Sequence, residues 1–370
     1  MSPTRAVLWT LAGLAALGAV AAAAVIGLGL YNVSARAPHL PPVRWALHTT
    51  YENAVRLRAP AASAVPDDLA DPARVALGAR HFDAACRMCH AAPGERQTAT
   101  VERMRPEPPH VTAVAEGWQA RHLHWILLEG VKMSGMPAWP APREDEPWSA
   151  VAFLKAAREM DEASYAALTA RPDVDGPFAE TFAYCAGCHG ADGLGDLGPF
   201  VPRLDILEPA YIALALEAYR SGARASGYMR HAASEPPPEA LAAMAARFGA
   251  LPLARPGPEP GPEPGPAPDP ALLATGERLA RAGTADDPAC VACHGPPALA
   301  RAAYPNLAGQ HEAYLVQQLR LWRDGERGGG RLAHLMRAAA EDLADDEIAA
   351  LAAWYAALPP SRPAAETAAR

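Results

Sequence analysis

Six cysteines sit in this 370-residue chain as three pairs, each with two residues between and a histidine directly after: CRMCH at Cys86–His90, CAGCH at Cys185–His189 and CVACH at Cys290–His294. No cysteine is left over. C-x-x-C-H is the attachment signature of covalent haem c, and three copies at domain-like intervals point to one small domain per string. Zinc is the first competitor, but a structural site needs four nitrogen or sulfur ligands and each string offers three. Pooling pairs gives four-cysteine sites, yet three pairs cannot be matched two by two. A thioredoxin-like motif needs a βαβ context, and the flanking sequence reads helical. Disulfides leave the three histidines unexplained.

Two thiols on one short helical turn can each bond to one vinyl side of a haem, which fixes the porphyrin against the backbone. The next residue then turns its imidazole to the iron, and a carbonyl on the other ring nitrogen sets the tautomer. The sixth ligand decides the chemistry. A Met thioether raises the potential and suits electron transfer; an open position suits peroxide or oxygen chemistry. Met136, Met229 and Met336 follow His90, His189 and His294 by 46, 40 and 42 residues. A single Met is ordinarily core filler, but this regularity makes the three candidate axial ligands. Met136 lies in GVKMSGMPAWP, where Gly135 and Pro137 force an irregular loop that can present a sulfur. Met133, His231 and His334 are nearby rivals. His110, His122 and His124 read as surface or structural residues.

Ahead of these sites, the 26 residues from Ala6 to Tyr31 carry no charge, more than the ~20 needed to cross a bilayer. A signal peptide competes, since Val33-Ser34-Ala35 resembles a cleavage site, but its apolar region should run only ~7–15 residues. A retained anchor over residues 1–35 is the preferred reading. Arg5 places the N-terminus in the cytoplasm by the positive-inside rule, weakly, because Arg36 flanks the other end. Residues 36–70 form a Pro-interrupted neck with a helix near Val43–Arg58. The first haem domain takes 71–170, opened by Asp71-Pro72 as N-cap and N1, with helices at Trp118–Glu129 and Glu146–Met160. The second takes 171–254. A linker at 255–270, rich in proline, admits neither helix nor sheet and reaches at most ~45 Å at ~3.1 Å per residue; an insertion with no task is an equal reading. The third domain takes 271–362, closed by a helix at Asp345–Leu358 with an acidic start that suits the dipole. Residues 363–370 form a tail. Tyr211–Arg224 and Tyr314–Arg327 align without a gap on Tyr, Leu, Arg, Gly and Arg, with Tyr219 opposite Trp322, so the second and third domains are tandem copies.

These strings carry a resemblance. A helix, C-x-x-C-H, a Met loop and a final helix resemble class I c-type cytochromes. YPNLAGQHEAYLVQQLRLWRDGERGG with LMRAAAEDLADDEIAALAAWYAAL makes the third domain similar to that of tandem di-haem cytochromes c. The second, FVPRLDILEPAYIALALEAYRSGAR, matches more loosely and lacks LAGQ. The first, with HWILLEGVKMSGMPAWP, resembles membrane-anchored mono-haem cytochromes, in which the Met of GMPAW is the axial ligand; that maps to Met136. The resemblance also implies that Pro305 and Pro202 supply the carbonyls that orient His294 and His189. GYMRHAASEPPP, Pro-rich after Met229, departs from the pattern.

The expected fold is therefore all-α, three small haem domains on an N-terminal transmembrane helix, carrying three covalently bound haems c. Cys86, Cys89, Cys185, Cys188, Cys290 and Cys293 are the expected attachment points, and His90/Met136, His189/Met229 and His294/Met336 the axial pairs. The expected function is electron transfer on the periplasmic side of the inner membrane. The donor would be a dehydrogenase or a quinol-oxidising complex and the acceptor a terminal oxidase. One rival is an enzyme with an open haem that reduces peroxide or another small oxidant; another is a fixed subunit of a larger complex. The formal net charge of −8 argues against a nucleic-acid partner and suits docking to basic patches. Only 6% of residues are aromatic, and three porphyrins would supply the missing flat apolar surface.

Overall fold

A computed structural model describes residues 2–195, 197–253, 269–283, 288–295 and 303–362. Nearly all of the linker and the whole tail expected from sequence lie outside them. Every regular element among the described residues is helical. The chain divides into two compact bodies, Met1–Ala54 with Thr98–Pro108, and Val55–Gln97 with Pro109–Arg370.

The first body is dominated by α1, Pro3–Gly27, a 25-residue helix with no buried residue, in which an 18-residue window has a mean hydropathy of 2.0. Ser2 caps it, its hydroxyl accepting from the Arg5 amide, and Pro3 supplies a ready-made helical φ. Its length and composition suffice to cross a membrane. α2, Pro41–Arg58, begins in this body, and its residues from Val55 on are counted with the second.

The second body holds three apolar clusters, each wrapped around one C-x-x-C-H string. The first module contains α3 (Pro72–Ala85), α4 (Arg87–His90), α5 (Ala120–Glu129), α6 (Pro147–Ala156) and α7 (Glu162–Thr169). Asp71 caps α3, accepting from the amides of Ala73 at 2.7 Å and Arg74 at 3.3 Å. α3 and α6 cross at Gly78, where a Cβ would run into the carbonyl of Ser149. Close crossing brings Phe82 to Phe153, rings 5.0 Å apart, and seals the cluster with Val151 and Trp148.

The second module contains α8 (Ala179–His189), α9 (Pro209–Arg220), α10 (Gly227–Ser234) and α11 (Pro238–Gly249). Here the haem string is the last turn of α8 itself, and Phe182 of α8 packs on Phe248 of α11 at 5.0 Å. The third contains α12 (Pro270–Ala282), α13 (Val291–His294), α14 (Glu312–Arg323), α15 (Ala333–Ala338) and α16 (Asp345–Ala357). α12 crosses α16 at Gly276, where a Cβ would meet the carbonyl of Ala350. The first and third modules thus use the same device, a glycine that lets the opening and closing helices touch backbone to backbone.

Buried polar contacts join the modules. Glu146 of the first accepts from Ser226 Oγ and the Gly227 amide of the second, each at 2.5 Å, and from Trp139 Nε1 at 3.0 Å, while Arg143 pairs with it at 3.1 Å. Gln310 of the third exchanges two hydrogen bonds with the backbone of Arg203 in the second, at 2.9 and 3.1 Å.

Candidate haem sites

Each string closes one helical turn. The amides of Cys89 and His90 both donate to the carbonyl of Cys86, at 3.1 and 3.0 Å; those of Cys293 and His294 repeat this on Cys290, at 3.2 and 2.8 Å. The two thiols and the imidazole of each string are therefore fixed by local backbone alone. No disulfide links any of the six cysteines. Burial pushes Cys86 and Cys185 up to about 12 and Cys188 up to about 11. A thiol-based redox or metal-thiolate site needs the opposite shift. Cys86, Cys185 and Cys188 are thus held as thiols rather than thiolates, which argues against a thiolate redox or metal site.

The histidines share one arrangement. Nδ1 of His90 lies 2.7 Å from the carbonyl of Pro109, that of His189 3.1 Å from Pro202, and that of His294 2.9 Å from Pro305. A carbonyl accepts only, so Nδ1 carries the proton and Nε2 keeps its lone pair for a metal. Burial also lowers each imidazole's affinity for a second proton. Pro202 and Pro305 stand where the family resemblance puts them. Pro109 was not singled out from sequence: it lies 19 residues beyond its histidine, in RPEPPH, a stretch with three prolines to choose from.

The methionines divide. Met136, like Cys86, packs against the first cluster, and Met336, like Cys290, against the third. The Met136 loop is braced: the Met136 amide donates to Ser134 Oγ at 3.1 Å, Ser134 donates to the Val131 carbonyl at 2.7 Å, and the Val131 amide donates to the Met136 carbonyl at 3.1 Å. Gly130, at φ +67°, turns the chain into it where a side chain would strike Pro137. Met229 is half-buried in the first turn of α10, and the second cluster, which includes Cys185, lies without it; Met244 of α11 fills that cluster instead.

The rivals stand elsewhere. Met133 is 93% exposed and His334 is exposed. His231 stands edge-on to buried His81, ring centroids 5.9 Å apart. His110 is held by Thr112 and the Glu95 carbonyl, and His124 by the Glu144 carbonyl and the face of Trp148. His122 closes the capping box of α5. The donor set therefore fits haem c three times at the level of cysteine and histidine. Another sign of fit is Tyr355, whose buried hydroxyl has no hydrogen-bond partner and whose ring belongs to the third cluster.

Comparison with known proteins agrees with this geometry. Residues 73–154 match the family described as cytochrome c oxidase, cbb3-type, subunit III, and residues 273–358 match the family described as cytochrome c. A protein named thiosulfate dehydrogenase electron acceptor, from Thiomonas intermedia, is 36% identical over 48% of this chain and 79% of its own length. A cytochrome c4 from Pseudomonas aeruginosa is 32% identical over 48% of this chain and 84% of its own. A solved thiosulfate dehydrogenase from Marichromatium purpuratum is 43% identical over 47% of this chain, with a TM-score of 0.41, and the match spans only 36% of that longer protein. With its C-x-x-C-H turns, carbonyl-held histidines and helical modules, this chain belongs to the cytochrome c family, among the relatives of cytochrome c4 and the thiosulfate dehydrogenase electron acceptors.

Proposed function

We propose that the chain is a membrane-tethered tri-haem cytochrome c that carries electrons between a periplasmic or membrane donor and an acceptor such as a terminal oxidase. The observation that carries this reading is the threefold recurrence of one site, two half-buried thiols on one helical turn and an imidazole held by a prolyl carbonyl. Bound haem supplies the one-electron Fe(III)/Fe(II) couple. The chain's own residues do the rest: the cysteines hold the ring covalently, the prolines orient His90, His189 and His294, and the apolar clusters exclude water. Met136 and Met336 are proposed as sixth ligands of the first and third sites, and Met229 of the second. α1 is proposed as the tether, which raises the local concentration of partners at the membrane surface. The names of the relatives favour a sulfur-oxidising dehydrogenase as donor.

Intact mass of the full chain tests the base claim: three haem additions are expected, and fewer would sink it. Methionine–Fe(III) bonds give a far-red charge-transfer band, which M136L and M336L should each reduce. Membrane fractionation tests the tether: the full chain should stay with the membranes and a chain lacking residues 1–35 should not. One observation favours a second reading, an enzyme with an exchangeable haem position. Met229 lies outside the cluster that holds Cys185. Fast cyanide binding at one haem, unaffected by M229L, would establish it.

A further inference from the structure

The Met136 loop is held by two modules. Its first half is braced from within the first module, through Val131 and Ser134, and the Trp139 amide donates to the Leu128 carbonyl at 3.0 Å. Its second half is received by α10 of the second module. Arg230 Nη1 donates to the Pro140 carbonyl at 3.0 Å. Tyr228 stands edge-on to the Trp139 ring, centroids 5.2 Å apart, and its hydroxyl donates to the Glu146 carbonyl at 2.8 Å. Gly227 makes the room, since a Cβ there would run into Nε1 of the Trp139 indole.

Glu146, buried at the head of α6, latches the two sides together. Its Oε2 accepts from Trp139 Nε1 at 3.0 Å and from the Gly227 amide at 2.5 Å, and its Oε1 accepts from Ser226 Oγ at 2.5 Å. Arg143, 3.1 Å from Oε1, supplies the counter-charge. Ser226 is also the N-cap of α10, where its hydroxyl accepts from the Met229 amide at 3.2 Å. Three hydrogen bonds and a guanidinium take up the roughly four lone-pair sites of one carboxylate, so it has no spare acceptor for a rearranged partner. Only Pro137 and Ala138 separate Met136 from Trp139, and proline's fixed φ leaves that link little slack. A shift of the α10 cap therefore drags the indole, and Met136 with it, or strands buried donors without an acceptor.

We propose that Glu146 is a positioning residue for the sulfur ligand of the first haem, and that through it the cap of α10 sets how firmly Met136 is held. The second module thus completes the first module's site. This rests on the haem reading above and on Met136 as the sixth ligand. Releasing the latch frees the outer half of the loop and opens the first iron to small exogenous ligands, although no residue of the first module has been altered. Met229 need not ligate for this to hold.

The test uses the full chain, oxidised, after intact mass has confirmed three haems. The part of the far-red charge-transfer band lost in M136L is the first site's share. A band unaltered by M136L would overturn the ligand reading itself, before the latch is tested. S226A removes one donor to Glu146, and G227A pushes the indole away; both lie in the second module. Each should reduce the band, and reduce it less when M136L is already present. Cyanide should bind the haem that M136L opens about tenfold faster in either variant than in the unsubstituted chain. S226T, which keeps the hydroxyl, should restore both the band and the slow binding. A latch that only glued the modules together would lower the unfolding midpoint and leave both signals of the first haem where they were. Should G227A fail to load three haems, S226A and S226T carry the comparison. Fully loaded variants that leave the first site's share and its cyanide rate unaltered would overturn the proposal. So would a loss of band that is the same with and without M136L, which confines the effect to the second module.

Discussion

Gln310 does more than fill space. Its side chain satisfies both backbone groups of Arg203, the residue after the Pro202 that orients His189. Gln310 and Arg203 are 3% and 2% exposed, so a Q310A variant strands a buried amide and a buried carbonyl at about 1–3 kcal/mol each. The expected result is a loss of a few kcal/mol in denaturant unfolding, with the second haem's spectrum more disturbed than the first's. His81 offers a different test. Burial, with a smaller contribution from His231, lowers it from 6.5 to about 3, between Trp139 and Tyr228 where the first and second modules meet. The unfolded chain protonates this imidazole below pH 6.5 while the folded chain keeps it neutral down to about pH 3. Its contribution to stability is therefore whole above pH 6.5 and falls by about 1.4 kcal/mol per pH unit as the medium is acidified towards pH 3. Thermal unfolding at pH 7 and pH 5 should show a smaller acid loss in H81F than in the unsubstituted chain; an equal loss would exclude His81 as the source.

At the scale of the helix, the crossing glycines carry the packing of the opening and closing elements. G276V drives a side chain into the Ala350 carbonyl and Trp354 Cβ. It should cost about 3 kcal/mol, the upper end for overpacking, read as a lower urea midpoint; an unchanged midpoint would mean the helices do not depend on that approach. Much of the element order was legible. Asp71-Pro72 announced α3, the uncharged run announced α1, and the aligned Tyr-to-Arg stretches announced α9 and α14, each within two to four residues of the observed ends. The elements that escaped have physical reasons. The Pro-rich stretch after Met229 reads only as a departure from the family pattern, yet Pro237 is the N-cap and Pro238 the N1 residue of α11, where proline's fixed φ helps. α7 is short and follows α6 after a single 3₁₀ turn, so its periodicity merges with its neighbour's. The haem turns were legible because their chemistry is local. The Glu146 latch was not, because its partners in the second module lie 80 and 81 residues away and only the fold introduces them.

On the scale of the whole molecule, the three modules of the second body are tied by buried polar contacts as well as by surface pairs such as Arg171 with Asp83. Glu146 joins the first to the second, and Arg203 with Gln310 joins the second to the third. On the proposed function, such contacts would hold the three sites at set separations, on which electron transfer between them would depend. The turn geometry of the strings bears on how the protein is made. Cys86 to His90 occupy one helical turn, but the carbonyl that steadies His90 comes 19 residues later and its proposed sulfur ligand 46 residues later. Attachment needs only what a nascent chain already has when the fifth residue of the string emerges; the surrounding fold is the later event. A chain stopped at Gly195 keeps two whole strings and lacks Pro202 and Met229. Two covalent haems are expected on it by intact mass, and a single one would mean that the second string must wait for its own module. On the proposed reading, haem bound at a string before its module folds would act as a nucleus on which that module's helices condense.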